Sequence, residues 1–203
     1  MFNLPFIFAC ILGYLFGSVP FALVIGKVFY KTDIRTQGSG NLGGTNAGRV
    51  LGKWAGISVS VLDVLKATIV ILVVYQFAPD AAALAGVFAT LGHSFPIFAQ
   101  FKGGKSVSTA FGYLLGVSTL IVHKPLELFV VPALLFFGTL KLTKWVSFSS
   151  MLSLTLTVIL SFFVQSDRLI SVYLLLIDAI VIWRHRSNIE RLLKNEERKV
   201  TWL

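Results

Sequence analysis

The sequence predicts an all-α integral membrane protein in which a bundle of seven transmembrane helices forms a single domain over residues 1–203. Hydrophobic residues make up 56% of the chain and charged residues only 13%, whereas soluble domains carry about 25% charged residues. Several apolar runs reach roughly the 17–25 residues that a helix needs to cross a bilayer. Polar residues concentrate between these runs, which indicates a chain that crosses the membrane many times.

The first three predicted spans each contain residues that suggest how they pack. Gly13 and Gly17 form a small-residue face on the first span, which allows close approach of another helix. Asp63 and Lys66 lie three residues apart in the second span, and ionisable residues inside a membrane are usually paired. We therefore expect either an ion pair between them or pairing of each with the loops. In the third span Pro96 follows His93 and is expected to end the helix.

The later spans are separated by short turns, and a basic tail follows the last one. The seventh span contains Asp178, which we expect to pair with a lysine or arginine of another element. A long polar loop covers residues 29–53, and the tail from about residue 184 is predicted to be partly helical. The seven spans are residues 4–28, 54–77, 81–98, 107–122, 126–140, 145–164 and 169–183.

The lysines and arginines predict the orientation of the chain. Of these 18 residues, Lys66 lies within a span, and only Lys124 and Arg168 lie on the predicted N-terminal side. All the others lie on the opposite side. Because basic residues mark the cytoplasmic side of membrane proteins, the N-terminus is predicted outside and the C-terminus in the cytoplasm. The net charge of +9 therefore reflects topology, and no nucleic-acid partner is predicted.

Residues 38–52, GSGNLGGTNAGRVLG, form a first glycine-rich segment in the predicted cytoplasmic loop. Its glycines let backbone amides approach a ligand, Arg49 supplies a fixed charge, and no carboxylate is present. This combination suits a substrate that carries phosphate. The residues expected to bind substrate or to act on it here are Gly38, Ser39, Gly40, Asn41, Thr45, Asn46 and Arg49.

Three other interpretations of this segment are a dinucleotide-binding motif, a P-loop and a merely flexible loop. Residues 38–43 match G-x-G-x-x-G, but that motif binds dinucleotides only between a strand and a helix, and no strand is predicted here. The P-loop pattern is absent from the chain. A merely flexible loop would not need the Asn, Thr and Arg residues that stand among the glycines.

Residues 102–106, KGGKS, form a second glycine-rich segment on the same predicted side. Lys102 and Lys105 could bring two ammonium groups onto one anion, while Gly103 and Gly104 expose backbone amides. The alternative is a tight interfacial turn whose lysines extend toward water. The presence of both segments on one side favours a shared anion site.

The histidines leave their roles open, and other catalytic patterns are absent from the sequence. His93 is either a buried hydrogen-bonding residue or a substrate ligand, and His185 either binds phosphate or marks the membrane interface. No G-x-S-x-G nucleophile motif and no H-x-x-x-x-D pattern occurs, and the single Cys10 leaves no C-x-x-C metal site. Neither a metal nor another cofactor is predicted, so any acyl chemistry must depend on positioning and charge.

The chain resembles the bacterial acyl-phosphate:glycerol-3-phosphate acyltransferases, the PlsY family. Three stretches carry the resemblance: GSGNLGGTNAGRVLGKWAG from Gly38, GHSFPIFAQFKGGKSVSTAFG from Gly92 and RHRSNIERLLKNEE from Arg184. It implies seven transmembrane helices and transfer of a fatty acyl group from acyl phosphate to the sn-1 hydroxyl of glycerol 3-phosphate. The products would be lysophosphatidate and phosphate, made at the cytoplasmic face of the bacterial inner membrane for phospholipid synthesis.

The resemblance also assigns expected roles to individual residues. Ser39, Arg49 and Lys105 match positions needed for activity, and Gly103 and Gly104 match glycines that shape the glycerol 3-phosphate site. The matches in the last stretch are His185 and Asn188 in the active-site region and Glu197 as a structural glutamate.

Some positions depart from the family pattern without removing a proposed catalytic side chain. Gly44 stands where alanine is usual, and Ala67 replaces a glycine. Ser106 and Asn195 also replace glycines, and Ser108 replaces an alanine.

The predicted function is therefore an acyl-phosphate-dependent glycerol-3-phosphate acyltransferase whose partners are its two substrates and membrane lipid. The alternative is a transporter of an organic phosphate anion, which cationic segments between helices would also suit. An odd number of spans, no internal repeat and cations gathered on one side weaken it, because transporters usually bind near the midplane between repeats. A scaffold subunit would not explain the glycine-rich segments.

Overall fold

The computed structural model describes residues 4–200, and the regular structure within them is helical. The chain divides into two compact units, Met1–Val117 and Ser118–Leu203. In the first unit the helices are α1 (Leu4–Gly17), α2 (Phe21–Tyr30), α3 (Gly44–Leu51), α4 (Lys53–Tyr75), α5 (Pro79–Ser94) and α6 (Val107–Leu120), whose last residues fall in the second unit.

Helix α5 is held against α1 by glycines at the contact. A Cβ on Gly13 would overlap the carbonyl oxygen of Ala85, and one on Gly17 would overlap that of Ala89. The predicted small-residue face of the first span is therefore confirmed. Helix α6 approaches α4 in the same way, since a Cβ on Gly112 would overlap the carbonyl oxygen of Val64.

The first predicted span is interrupted between α1 and α2. Pro20 lacks an amide hydrogen and cannot continue the α1 hydrogen-bond ladder, so the chain bends at residues 18–20. The carbonyl oxygen of Val19, exposed by this bend, accepts a hydrogen bond from Lys66 Nζ at 3.2 Å. Within a membrane such a freed carbonyl requires a partner, and the second predicted span supplies it.

The prediction of a polar loop over residues 29–53 is wrong at Gly44–Leu51, which forms helix α3. Gly43 begins this helix in an extended conformation, and Gly52 ends it at φ +99°. Glycine-rich sequences rarely favour helix on propensity alone. Here the small residues let α3 lie against α4, because a Cβ on Gly56 would stand 2.6 Å from the Cα of Gly48.

The second unit is a set of helices that pack around α8. Its helices are a single π-helical turn (Leu126–Val130), α7 (Val131–Thr143), α8 (Val146–Val164), α9 (Arg168–Arg184) and α10 (Arg186–Leu193). Buried serines join α8 to α9, where Ser161 Oγ donates to Ser171 Oγ at 3.0 Å. The tail is partly helical, as predicted.

The expected ion pair of Asp178 is wrong. Its Oδ2 accepts a hydrogen bond from the hydroxyl of Thr155 at 2.9 Å, and Oδ1 has no hydrogen-bond partner among residues 4–200. Threonine can satisfy a buried acceptor without bringing a second charge into the bundle. The polar pair therefore joins α8 to α9 without a cation.

Membrane character is confirmed, although the count of seven spans stays a prediction. Five helical stretches are long and apolar enough to cross a bilayer: Leu4–Tyr30, Lys53–Tyr75, Pro79–Ala99, Leu126–Thr143 and Val146–Val164. The helices at the fourth and seventh predicted spans have 14 and 17 residues. At about 1.5 Å per residue the 14-residue helix is shorter than the roughly 30 Å hydrocarbon core.

Candidate active site

The first glycine-rich segment is folded around the side-chain amide of Asn46. The amide oxygen accepts from the backbone nitrogen of Ser39 at 2.8 Å, and the amide nitrogen donates to the carbonyl oxygens of Gln37 at 3.2 Å and Ile34 at 3.4 Å. Asn46 is buried. The predicted substrate ligand thus braces the turn, and its direct contact with substrate stays a prediction.

Only glycine fits at position 38, because this position combines a positive φ with no room for a Cβ atom. Its φ of +63° lies in the left-handed region, and a Cβ there would overlap the Asn46 amide oxygen. Gly40 follows at φ +68°. The pair turns the backbone so that the Ser39 amide faces Asn46 and the Ser39 side chain faces outward.

The side chains expected to meet substrate lie on the outer side of this turn. Ser39, Thr45 and Arg49 are exposed, and Asn41 is half-buried. Neither the Ser39 hydroxyl nor the Arg49 guanidinium has a hydrogen bond to another residue in the described chain from 4 to 200. A donor and a cation are therefore presented without competing protein partners.

Charge near the base of this segment is neutralised locally by Asp33. Arg35 donates Nε and Nη2 hydrogen bonds to its carboxylate at 3.0 and 2.6 Å, and Lys27 Nζ lies 3.6 Å away. The hydrogen bonds from Arg35 hold the pKa of Asp33 well below its ordinary range. Arg35 is thus engaged by a carboxylate, whereas Arg49 is not.

The second glycine-rich segment folds back onto the end of α5. The Gly104 nitrogen donates to the carbonyl oxygen of His93 at 3.0 Å. A Cβ on Gly103 would overlap that same oxygen and the Pro96 ring, and a Cβ on Gly104 would overlap the His93 ring. Lys102 is exposed and Lys105 is half-buried. These glycines therefore serve close packing, not a left-handed backbone.

The buried end of α5 also contacts α4 through the predicted ion pair. Lys66 Nζ lies 2.9 Å from Asp63 Oδ1, which confirms that pair, and 2.8 Å from His93 Nδ1. All three side chains are at most 6% exposed. The sequence indicated the pair from its spacing, but nothing in it indicated that His93 of another helix joins the pair.

In the second unit, Asn188 of the last stretch belongs to a network around Glu197. Glu197 Oε1 accepts from Asn188 at 2.6 Å and Ser147 at 2.8 Å, and Oε2 accepts from Arg191 at 2.8 Å. Burial raises the pKa of Glu197, but these hydrogen bonds together hold it below the ordinary value. The network fixes the tail to the start of α8.

His185 lies at the junction of α9 and α10 and is buried. Its Nδ1 is 2.8 Å from the carbonyl oxygen of Val181. Because a carbonyl can only accept, Nδ1 carries the proton at this contact, which fixes the orientation of the ring. A role for His185 in binding substrate stays a prediction.

Comparison with known proteins decides the family. A family model described as glycerol-3-phosphate acyltransferase matches residues 7–195. The chain belongs to this family. A glycerol-3-phosphate acyltransferase of Listeria monocytogenes is 46% identical over 197 residues, covering 95% of this chain and 96% of the relative. The Bacillus subtilis relative is 50% identical over 194 residues with the same coverage.

Two solved structures of a glycerol-3-phosphate acyltransferase share this fold. Both are crystal structures of PlsY, an integral membrane glycerol 3-phosphate acyltransferase, at 34% sequence identity. The glycerol 3-phosphate form covers 97% of this chain and 96% of its own, with a TM-score of 0.86. The lysophosphatidic acid form covers 97% and 95%, with a TM-score of 0.84. The resemblance to the PlsY family is thereby confirmed.

Two departures from the pattern expected of this glycerol-3-phosphate acyltransferase family fall where the backbone is left-handed. Ser106 has φ +59° and Asn195 has φ +57°, so the glycines usual there would be unstrained. Ser106 offsets its strain with two hydrogen bonds of 2.7 Å, one shared with the Ser94 hydroxyl and one to the Thr90 carbonyl oxygen. Asparagine tolerates this conformation better than most residues.

Gly44 shows the opposite change, since the family resemblance implies alanine at its position. A Cβ on Gly44 would overlap the hydroxyl of Ser60, which donates to the Gly56 carbonyl oxygen at 2.9 Å. A glycine here leaves room for the Ser60 side chain between α3 and α4. The departure therefore concerns packing beneath the first segment.

Proposed function

We propose that this membrane protein transfers a fatty acyl group from acyl phosphate to the sn-1 hydroxyl of glycerol 3-phosphate, giving lysophosphatidate and phosphate in phospholipid synthesis. The observation that carries the proposal is that two cationic glycine-rich segments lie in one unit of a chain of the glycerol-3-phosphate acyltransferase family. The forms in which the related PlsY was solved, with glycerol 3-phosphate and with lysophosphatidic acid, correspond to a substrate and a product of this reaction.

The reaction needs no covalent enzyme intermediate, because acyl phosphate already carries a good leaving group. The glycerol hydroxyl oxygen attacks the acyl carbon, and the bond between that carbon and the phosphate oxygen breaks. The hydroxyl proton passes to a phosphate oxygen, so the reaction is balanced without a protein base. Catalysis then depends on holding both substrates in line and on stabilising charge.

The side chains of the two segments supply that stabilisation. Arg49 and Lys105 bind phosphate oxygens, and Lys102 adds positive charge beside them. Ser39 or the neighbouring backbone amides stabilise the negative charge that develops on the acyl carbonyl oxygen. Donors aimed at charge that develops in the transition state contribute about 3 kcal/mol each. The family resemblance also implies His185 and Asn188 as substrate ligands.

The acyl chain of the donor is accommodated among helices in contact with membrane lipid. Large apolar side chains are exposed along the spans, including Phe163 at 83% and Leu134 at 67%. Such exposure suits a hydrocarbon environment, since lipid is as apolar as these side chains. A donor with a long acyl chain would reach the site from the bilayer without entering water.

The site faces the cytoplasm of a bacterial inner membrane, with seven spans, the N-terminus outside and the C-terminus inside. The distribution of lysines and arginines supports this orientation. The test uses a protein in which Cys10 is replaced by alanine and one cysteine is introduced. A membrane-impermeant maleimide on intact cells should label Lys124→Cys but not Lys141→Cys. Labelling in the reverse pattern would contradict the orientation.

The function is tested with purified protein in detergent, where transport between compartments is impossible. Palmitoyl phosphate and labelled glycerol 3-phosphate are supplied, and lysophosphatidate is quantified by chromatography. We expect product with palmitoyl phosphate and none with palmitoyl-coenzyme A. Absence of lysophosphatidate with palmitoyl phosphate would defeat the proposal and favour an organic phosphate transporter, which transport in proteoliposomes would reveal.

A further inference from the structure

The buried ion pair of α4 is an expensive feature for a membrane helix. Asp63 and Lys66 are each 1% exposed and lie one turn apart. Removing two charges from water is costly, and such a pair contributes little net stability compared with apolar residues of similar size. Ionisable residues within a membrane bundle usually mark a functional region. The residues that contact this ion pair therefore indicate which functional part of the protein the pair holds in place.

Lys66 uses its ammonium group to join three separate parts of the first unit. Nζ lies 2.9 Å from Asp63 Oδ1, 2.8 Å from His93 Nδ1 and 3.2 Å from the Val19 carbonyl oxygen. An ammonium group has three donors and no acceptor. His93 Nδ1 also lies 3.4 Å from Asp63 Oδ1, so the ring cannot turn over without losing its contacts with both members of the ion pair.

The other edge of the fixed ring lies against the second glycine-rich segment. A Cβ on Gly104 would overlap His93 Nε2, and the Gly104 nitrogen donates to the His93 carbonyl oxygen at 3.0 Å. Gly103 packs on the same carbonyl oxygen and on Pro96. The backbone before Lys105 thus rests on His93 through both the main chain and the imidazole.

We propose that Asp63, Lys66 and His93 are positioning residues that set the place of Lys105 through the Gly103–Gly104 backbone. The ion pair fixes the imidazole, and the imidazole forms a rigid surface against which the two glycines lie. This inference rests on the proposed acyltransferase function. Glycerol 3-phosphate binding should be more sensitive to this support than acyl phosphate binding, because the glycines are expected to shape the glycerol 3-phosphate site.

A double-mutant cycle between His93 and Gly104 tests the contact that carries the inference. Gly104→Ala introduces the overlap with the ring and should raise KM for glycerol 3-phosphate about tenfold, which is within the range of interaction energies between residues in contact. His93→Asn keeps an acceptor near Nδ1 but has no atom at the Nε2 position. In that background Gly104→Ala should raise KM less than about threefold.

Gly103→Ala is the matched control, because its Cβ would meet backbone and Pro96 and not the imidazole. Its effect should be the same in the wild-type background and in the His93→Asn background, as expected of a pair without coupling. Relief of both alanine variants by His93→Asn, or of neither, would overturn the inference.

The single variant His93→Asn separates positioning from a merely structural role. We expect a raised KM for glycerol 3-phosphate with an unchanged KM for palmitoyl phosphate and an unchanged unfolding temperature in detergent. His93→Gln, whose amide can reach the Nε2 position, should recover most of the loss. Equal rises in both KM values, accompanied by a lower unfolding temperature, would contradict positioning even if Gly104→Ala cannot be purified folded.

The ion pair is tested without leaving a buried unpaired charge by combining Asp63→Asn with Lys66→Met. This double variant removes the donor that holds Nδ1, and we expect the same selective rise in KM for glycerol 3-phosphate. An unchanged KM would remove Asp63 and Lys66 from the proposal. If the wild-type protein makes no lysophosphatidate, the function itself fails, whereas an active wild type without coupling defeats only this inference.

Discussion

The two glycine-rich segments use glycine for different physical reasons. In the first segment Gly38 and Gly40 take left-handed conformations, and the turn closes on its own Asn46. In the second segment Gly103 and Gly104 leave room for His93, which is fixed by Lys66 on another helix. The first segment is therefore supported locally, and the second depends on the buried core of its unit. The same residue type at similar density can thus mean either a turn or a tight contact.

The largest expected effect is common to both segments, because each supplies one essential cation. Arg49→Ala and Lys105→Ala should each lower kcat at least about a hundredfold, the size expected when a transition-state donor is lost. Steady-state kinetics of purified, folded variants would check this. A near-normal rate for either variant would remove that segment from the proposed mechanism.

A sharper comparison within the first segment uses two glycines that both have a positive φ. Gly52 has φ +99° with open space around its Cβ position, whereas a Cβ on Gly38 would overlap Asn46. Gly52→Ala should destabilise by about 1 kcal/mol through strain alone, and Gly38→Ala by about 2 kcal/mol or more because the overlap adds to strain. Thermal unfolding in detergent measures the difference. Equal losses would mean that Asn46 moves aside easily.

Lowering the pH should weaken the hydrogen-bond network of Glu197, which holds the tail. Its pKa is lowered in the folded protein, so its contribution to stability is present above its ordinary pKa of about 4.3 and is lost as the pH falls through the folded value. We expect the unfolding temperature of wild type to fall more steeply than that of Glu197→Gln as the pH is lowered from about 5 to about 3. The exposed neighbour Glu196→Gln is the control and should retain the wild-type slope.

The smallest effect is expected at Ser106, where the second segment does contain a left-handed residue. Ser106→Gly relieves strain of about 1 kcal/mol, but it removes a hydroxyl with two buried hydrogen bonds worth about 1 kcal/mol each. The free energy of unfolding should therefore fall by only about 1 kcal/mol. A loss above about 3 kcal/mol would show that the hydroxyl network, and not the backbone, holds this segment.

Sequence patterns predicted the membrane class, the small-residue contact of α1 and the Asp63–Lys66 pair because these depend on composition and on spacing within one helix. They failed where the outcome depends on other elements. Helix α3 forms although Gly44 and Gly48 disfavour it, since α4 offers a surface that only small residues can approach. The joining of His93 to Lys66 depends on helix packing that spacing along the chain does not encode.

The site shows the same division between what the sequence specifies and what the fold adds. Ser39 and Arg49 are exposed, as binding a substrate requires, and their role as ligands stays a prediction. Asn46 is predicted to contact substrate, and the structure shows its amide bonded within the turn. Amide side chains serve either purpose, and only the folded backbone shows which groups they satisfy.

The central claim is that the cations of the two glycine-rich segments, and not the overall positive charge, carry the acyl transfer. The most direct test compares two double variants that each lose one arginine and one lysine, Arg49→Ala with Lys105→Ala and Arg198→Ala with Lys141→Ala, the last two being exposed residues outside both segments. Lysophosphatidate and phosphate formed from palmitoyl phosphate and glycerol 3-phosphate are measured together. We expect equal amounts of both products from the Arg198–Lys141 double variant and neither product from the Arg49–Lys105 double variant. Similar product formation by both double variants would contradict it.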